Sequence, residues 1–253
     1  MASNFSLDVV CPSGLKGRLR GMKVRDEQIF LDPKIRKNGD PLNHLLLNCW
    51  EVTTFPGPYD PSNFSWILAS TADRTHALIQ LRIASFGEDY EFQATCEACS
   101  HIFGWGVDLN ELDVAPTSEE GRRYLATGEP MTVTLSCGQV IKTRILNGDD
   151  EKYLANLGPK DRARVLTFHL ARRVVEINEK TKWTDIIAEI EELPARYSGE
   201  LWDATDAHEG GVDTSFTIEC PKCDREQRVN LPFSGSFFSN RKQFAGSKTR
   251  SNG

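Results

Sequence analysis

Two short segments with the spacing Cys-x-x-Cys hold the residues best suited to chemistry in this chain: Cys96-Glu97-Ala98-Cys99 and Cys220-Pro221-Lys222-Cys223. A turn of this kind aims two sulfurs at one point, and two such turns supply the four thiolates of a closed tetrahedral zinc site. Their flanks are alike. Tyr90 to Thr95 precedes the first pair and Phe216 to Glu219 the second, so each is read as strand, knuckle, strand. The 120 residues between Cys99 and Cys220 form a loop whose closure costs about 4 kcal/mol. Structural zinc in finger peptides is worth roughly 10 to 16 kcal/mol, so a staple of this length is energetically sound.

The expectation is therefore one structural zinc, held by Cys96, Cys99, Cys220 and Cys223, tying the middle of the chain to its end. Four thiolates leave no position open for water or substrate. Their net negative charge calls for nearby amides, and Lys222 and Arg225 are candidates to offset it. Three alternatives stand beside this one: two independent redox or spare thiol pairs, a catalytic metal, and a mixed site in which His101 replaces a sulfur. A thioredoxin-type pair needs a helix N-terminus to lower a thiol pKa, and here hairpins flank both pairs. Cys11, Cys49 and Cys137 are left as small packing or loop residues.

Elsewhere the sequence offers no GxSxG, HExxH, GxxxxGK[ST] or dinucleotide fingerprint. The histidines at 44, 76, 101, 169 and 208 share no catalytic spacing, and His169 is read as a core or helix-face residue. Asp149, Asp150 and Glu151 could hold a cation, but the opening turn of a helix accounts for them through the partial positive charge of its free amides. No enzymatic activity is expected.

The elements that must position the cysteines read as an α+β fold, a helical body with several β-hairpins. At 253 residues, 39% hydrophobic and 26% charged, the chain has the material for a large core. Leu7 to Val10 is a strand candidate, followed after Pro12-Ser13-Gly14 by a basic stretch with Lys16, Arg18, Arg20, Lys23 and Arg25, read as a solvated face. Asp40-Pro41 opens a helix with Leu42, Leu45, Leu46 and Cys49 on one stripe. Thr71 caps a second, running to Phe86 and stopped by Gly87. Thr117 to Glu120 resembles a capping box for a short helix to Ala126, and residues 131 to 146 read as a hairpin turning at Ser136-Cys137-Gly138. From Asp149 to His208 the pattern is helical. Pro159 begins a helix with Val165, Leu166, Leu170, Val174 and Ile177 buried together, and Thr184 caps another with Ile186, Ile187 and Ile190 before Pro194.

A single α+β domain is expected over 1–238, with knuckle hairpins at about 90–109 and 212–233, and a flexible basic tail over 239–253. Phe237 and Phe238 stand at the border of that tail, where two exposed rings need a partner or the body to cover them. With Arg241 and Lys242 they are the candidate partner-binding residues. A net charge of -6 opposes a body built to coat phosphate backbones. The start, Met1 to Asp8, lacks the charged and apolar regions of a signal peptide, and no stretch has the length of a membrane span, so a reducing cytoplasm is the expected compartment.

The order of several segments resembles the small baseplate hub assembly proteins of T-even-type contractile phage tails and related prophages. Those segments are Pro12-Ser-Gly-Leu-Lys-Gly17, Cys49-Trp50, Pro56-Gly-Pro-Tyr59, Ala77 to Ala84, Tyr90-Glu-Phe92, the first CxxC with Phe103-Gly-Trp105, Arg144 to Glu151, the second CxxC, Leu231-Pro-Phe233 and Phe237-Phe238. Asn147 and Asp149 depart from the usual acidic element. Membership would imply a non-enzymatic role in building the baseplate hub, with other hub, spike or tail-tube proteins as partners. It would also place the protein in the host cytoplasm during assembly, and leaves open whether it stays in the virion. The competing reading is a zinc-ribbon nucleic-acid binder or regulator, drawn from the knuckles and the basic segments at 16–25 and 241–250.

Overall fold

The computed structural model describes residues 6–38, 41–233 and 237–239. The chain begins with strands β1 (Ser6–Val10) and β2 (Lys16–Arg20), then helices α1 (Val24–Glu27), α2 (Pro33–Asn38) and α3 (Pro41–Cys49), and strand β3 (Trp50–Phe55). Helix α4 (Thr71–Phe86) leads into the first knuckle hairpin, β4 (Asp89–Thr95) and β5 (Ile102–Asp108). After β6 (Val114–Ala115) come α5 (Glu119–Thr127), β7 (Met131–Thr134), β8 (Val140–Thr143), α6 (Gly148–Ala155), α7 (Pro159–Arg162), α8 (Val165–Arg172) and β9 (Val174–Ile177). Helices α9 (Trp183–Glu192) and α10 (Ala195–Glu209) precede β10 (Gly211–Val212) and the second knuckle hairpin, β11 (Ser215–Glu219) and β12 (Glu226–Asn230). The mixture of helix and antiparallel sheet is α+β.

Three apolar clusters hold these elements. The largest gathers β1, β2, α3 and α4 around Leu15, Leu19, Leu45, Leu46, Trp66, Ile79 and Leu81. A second packs the sheet β7-β8-β9 against α8, α9 and α10 through Ile141, Leu170, Ile177, Ile186 and Leu201. The third is small, lies between the two knuckle hairpins and consists of Ala94, Cys96, Phe103, Ile218 and Cys220. Phe92 and Phe216, 5.8 Å apart edge to face, belong to both the first and third clusters and couple the hairpins to the body.

Several local expectations are corrected. Ser70, not Thr71, caps α4: its hydroxyl accepts the amide of Asp73, and Thr71 is the first helical residue. Val174 and Ile177 are not a helix stripe, because α8 ends at Arg172 and Val-Val-Glu-Ile forms β9, the third strand beside β8. β-branched residues pack better on that sheet than on another helical turn. Leu166, grouped with them, is exposed. Helix α9 begins at Trp183 with Lys182 at its cap position, so Thr184 lies inside the helix, where its hydroxyl bonds to the adjacent Asp185. Trp50 to Phe55, for which no strand was expected, is a strand paired to β2. Gly87 does end α4, with φ +87°, and the 131–146 hairpin turns where expected. Asp40 lies outside the described residues.

Phe237 and Phe238 are also corrected. Both are fully buried in the first cluster, Phe237 against Tyr90 (4.8 Å) and Phe238 stacked on Phe30 (5.6 Å). The body covers the rings, so they are not a surface for a partner. Arg241 and Lys242, and the tail from 240 on, lie outside the described residues.

Candidate metal centre

Each knuckle is built the same way. Strands β4 and β5 pair in continuous register from Asp89 with Asp108 to Thr95 with Ile102, and β11 and β12 from Ser215 with Asn230 to Glu219 with Glu226. Beyond the last pair the Cys96 amide bonds the carbonyl of His101 (2.9 Å), and that of Cys220 bonds the carbonyl of Arg225 (3.0 Å). The Ser100 amide returns to the Cys96 carbonyl and the Asp224 amide to that of Cys220, both at 2.9 Å. Ser100 and Asp224 both take φ +56°, the left-handed turn that swings each knuckle back into its strand. The two second cysteines, Cys99 and Cys223, each precede this residue.

The hairpins bring the four sulfurs together, all within 4.8 Å of one another. Cys96 Sγ lies 3.7 Å from Cys223 Sγ, and Cys99 Sγ 3.7 Å from Cys220 Sγ. A disulfide needs about 2.05 Å. Four sulfurs about 2.3 Å from a central ion stand about 3.8 Å apart at the corners of a tetrahedron. The spacing, the ligand type and the count therefore all fit a closed metal centre of four cysteines. Among the described residues no other group of histidine, cysteine and carboxylate has this convergence.

Charge argues the same way. The amides of Cys99 and Ala98 point at Cys96 and bring its thiol down to about 7. The Arg225 amide likewise favours ionised Cys223, but hydrogen bonds shared with the other three sulfurs outweigh it and push this thiol up to about 12. Four thiols this close do not all ionise alone; a dication in their midst makes four thiolates compatible. The expected compensation comes from backbone amides, while the side chains of Lys222 and Arg225 are exposed. His101 stands outside the cluster, its ring stacked on Phe103 at 6.2 Å.

One contributor has no sequence signature. Gln227 of β12 reaches across to the first knuckle, accepting the Glu97 amide (2.9 Å) and donating to the Thr95 carbonyl (3.0 Å). A lone glutamine in a polar strand carries no signal of this role; only the pairing of the two hairpins exposes it.

The other cysteines are structural or exposed. Cys11 and Cys49 are buried, and burial pushes the Cys11 thiol well up and that of Cys49 to about 11, while Cys137 is exposed in its turn. Two residues of the basic stretch are engaged within the fold: Arg18 pairs with Asp8 (2.8 Å), and Arg20, expected on a solvated face, is buried against Asp26 (2.7 Å).

A second set of polar residues meets at the N-terminal end of α4. Asp73, fully buried, accepts the Ser13 amide (2.9 Å), the Ser13 hydroxyl (2.5 Å) and the Tyr59 hydroxyl (2.7 Å). Burial raises its pKa and these donors oppose the shift. The next residue, Arg74, is also buried and donates to Glu151 (2.9 Å), Asn43 (3.3 Å) and the Trp66 carbonyl (2.5 Å). Gly148 lies against its guanidinium, where an added Cβ would sit 2.7 Å from Cζ. Asn147 caps α6, and Asp150 is buried between Arg144 and Arg172, each at 2.6 Å. The acidic trio thus opens a helix as expected, and two of its members, Asp150 and Glu151, also pair with arginines from outside that helix.

The fold and its four-thiol centre define a class: an α+β protein with a closed four-cysteine cluster and an interior braced by buried ion pairs. A family model described as T4 bacteriophage base plate protein matches residues 3–239, and the chain belongs to that family. No curated protein matches, and no solved structure does. Membership gives the protein a structural role in a phage baseplate, among other baseplate or tail proteins. No helix among the described residues is long and apolar enough to cross a membrane.

Proposed function

We propose that this protein is a non-catalytic structural or assembly component of the hub of a contractile-tail baseplate, whose two knuckle hairpins are locked together by one zinc ion. The observation that carries the reading is the convergence of the four sulfurs of Cys96, Cys99, Cys220 and Cys223 within 4.8 Å, in a family of baseplate proteins. Bound there, zinc supplies a tetrahedral crosslink and no open coordination position. The residues do the rest by geometry. The amides of Ala98, Cys99 and Arg225 face the sulfurs, Gln227 holds the knuckles in register, and Phe92 and Phe216 transmit their placement to the body. Hub, spike or tail-tube proteins are the partners this reading names, and the host cytoplasm is where assembly takes place.

Metal analysis of the purified protein tests the site: one zinc per chain is expected, and a stoichiometry near zero with freely alkylated Cys96 and Cys220 would refute it. Co-purification with neighbouring tail proteins tests the role. Retention by spike or tube proteins is expected, and salt-sensitive binding to DNA or RNA in their place would favour the nucleic-acid alternative.

A further inference from the structure

The two sulfur contacts at 3.7 Å do not follow the CxxC motifs. Cys96 touches Cys223 and Cys99 touches Cys220, so each contact joins one hairpin to the other. Each also joins unlike positions. Cys96 and Cys220, the first cysteines of their knuckles, are buried, whereas Cys223 is exposed and Cys99 half-buried. A small oxidant therefore meets the cluster on the side of the second cysteines, and beside each of these stands a buried sulfur of the opposite hairpin.

Contacts other than the sulfurs keep the hairpins facing one another. Gln227 bridges to Glu97 and Thr95, a five-residue apolar cluster lies between the hairpins, and Phe92 meets Phe216. These are too few to replace four ligand bonds, but they hold the sulfurs opposed while a covalent bond forms. Closing either contact from 3.7 Å to the roughly 2.05 Å of a disulfide takes about 1.7 Å of approach.

We propose that the centre is an oxidative modification site, at which a peroxide exchanges the metal crosslink for two disulfides between the hairpins, Cys96–Cys223 and then Cys99–Cys220. The Cys223 thiolate attacks a peroxide oxygen, the O–O bond breaks, and a sulfenic acid and hydroxide result. The Cys96 thiolate attacks that sulfur; the S–S bond forms and the S–O bond breaks, releasing a second hydroxide. Cys99 and Cys220 repeat the sequence with a second peroxide. Each pair of sulfurs gives up two electrons, and each peroxide accepts two. With its thiolates consumed the centre no longer holds zinc, yet the middle and the end of the chain stay joined. The exchange suits a baseplate that is built in a reducing interior and must keep its shape in oxidising surroundings. It rests on the four-thiolate reading above.

Peroxide treatment of zinc-loaded protein tests the proposal, in a Cys137→Ser background that removes the exposed thiol of the β7–β8 turn. Two equivalents of hydrogen peroxide per chain are added, zinc release is followed with a chromogenic chelator, and disulfides are mapped by mass spectrometry after non-reducing digestion. The cysteines of each knuckle can be separated: a glutamate-specific protease cuts after Glu97, and trypsin cuts after Lys222. Loss of the zinc should accompany two disulfides, Cys96–Cys223 first and Cys99–Cys220 second, exceeding other pairings about tenfold. The oxidised protein should melt about 5 °C or more above reduced protein stripped by a chelator. Disulfides within either CxxC, Cys96 joined to Cys220, or sulfinic acids in place of disulfides would overturn the proposal, as would equal melting temperatures. Zinc measured before oxidation keeps the two readings apart. Zinc-loaded chains that oxidise within each knuckle retain the metal and refute the exchange, whereas chains that purify without zinc refute the metal centre before any peroxide is added.

Discussion

The knuckle pair and the polar seam at the start of α4 solve one problem in different ways. Each joins segments far apart in sequence: residues 96–99 with 220–223 in one, and Ser13, Tyr59, Asp73, Arg74 and Glu151 in the other. The knuckles rest on a cluster of five buried residues, two of them the cysteines themselves. The seam adjoins the much larger first cluster, against which Tyr59 packs, and Asp73 and Arg74 are themselves buried. A small core cannot hold two hairpins by burial alone, so strong ligand bonds to a metal carry that region. In the seam the surrounding packing already excludes water, and the polar groups set which segments fit together. Leaving any one of them unpartnered is what costs free energy there.

This contrast separates the two regions experimentally. Cys220→Ser should abolish stoichiometric zinc and remove roughly 5 kcal/mol or more of local stability from the hairpins. Hydrogen exchange should then show β4, β5, β11 and β12 losing protection while α4 keeps its own. Equal loss in α4 would mean the two regions unfold as one unit.

Arg74→Met is the converse change. It removes the cation to which Glu151, Asn43 and the Trp66 carbonyl are bound, and breaking one side of a buried pair typically costs about 3 to 5 kcal/mol. Glu151 is partly exposed, so the lower end of that range is expected. The global melting temperature should fall with zinc content unchanged. Loss of zinc on this substitution would show that the seam also orders the knuckles.

Glu209 offers a smaller, pH-dependent test of the seam. It is buried at the end of α10, bonded to the Thr71 hydroxyl and 3.6 Å from Arg173. Burial raises its pKa to about 7, against the partial opposition of Arg173 and Thr71. A carboxyl that holds its proton more tightly when folded stabilises the fold below its unfolded pKa, and that contribution is lost as pH rises through the folded value. Between pH 6 and 8 the wild type should therefore lose about 1 kcal/mol relative to Glu209→Gln. Comparing the two proteins cancels the pH dependence of thiolate ligation. Parallel stability curves would show that Glu209 is ionised in the fold.

How far each region was legible follows from the chemistry. Four cysteines at a fixed spacing are rare, and their flanks alternate like strands, so Cys96, Cys99, Cys220 and Cys223 could be grouped from sequence alone. Asp73 and Arg74 stand in a helix of mixed composition, and nothing local distinguishes them from solvated residues. Burial by three other segments gives them their role, and that is a tertiary fact. Strands β3 and β9 were missed for a related reason: Trp50 continues directly from an apolar helix, and Val174 falls in helical step with Leu170. Pairing with β2 and β8 decides their conformation. Phe237 and Phe238 follow the last strand and precede a polar tail, and only the contact with Tyr90 and Phe30 reveals them as core.

The finest division within the knuckle region concerns Gln227. If the metal alone fixed the hairpins, the amide bridge would be redundant, since four ligand bonds already restrain both turns. A tetrahedral ion, however, leaves each hairpin free to pivot about the sulfurs, and the two bonds from Gln227 to Glu97 and Thr95 lie to one side of them. Gln227→Ala removes two partly exposed hydrogen bonds, worth about 1 kcal/mol together. Zinc stoichiometry should stay at one per chain. Exchange at the Glu97 amide should rise about fivefold, and a chelator should strip the metal moderately faster. Unchanged release and unchanged exchange would assign the whole orientation of the knuckles to the sulfurs and to the Phe92–Phe216 contact beneath them.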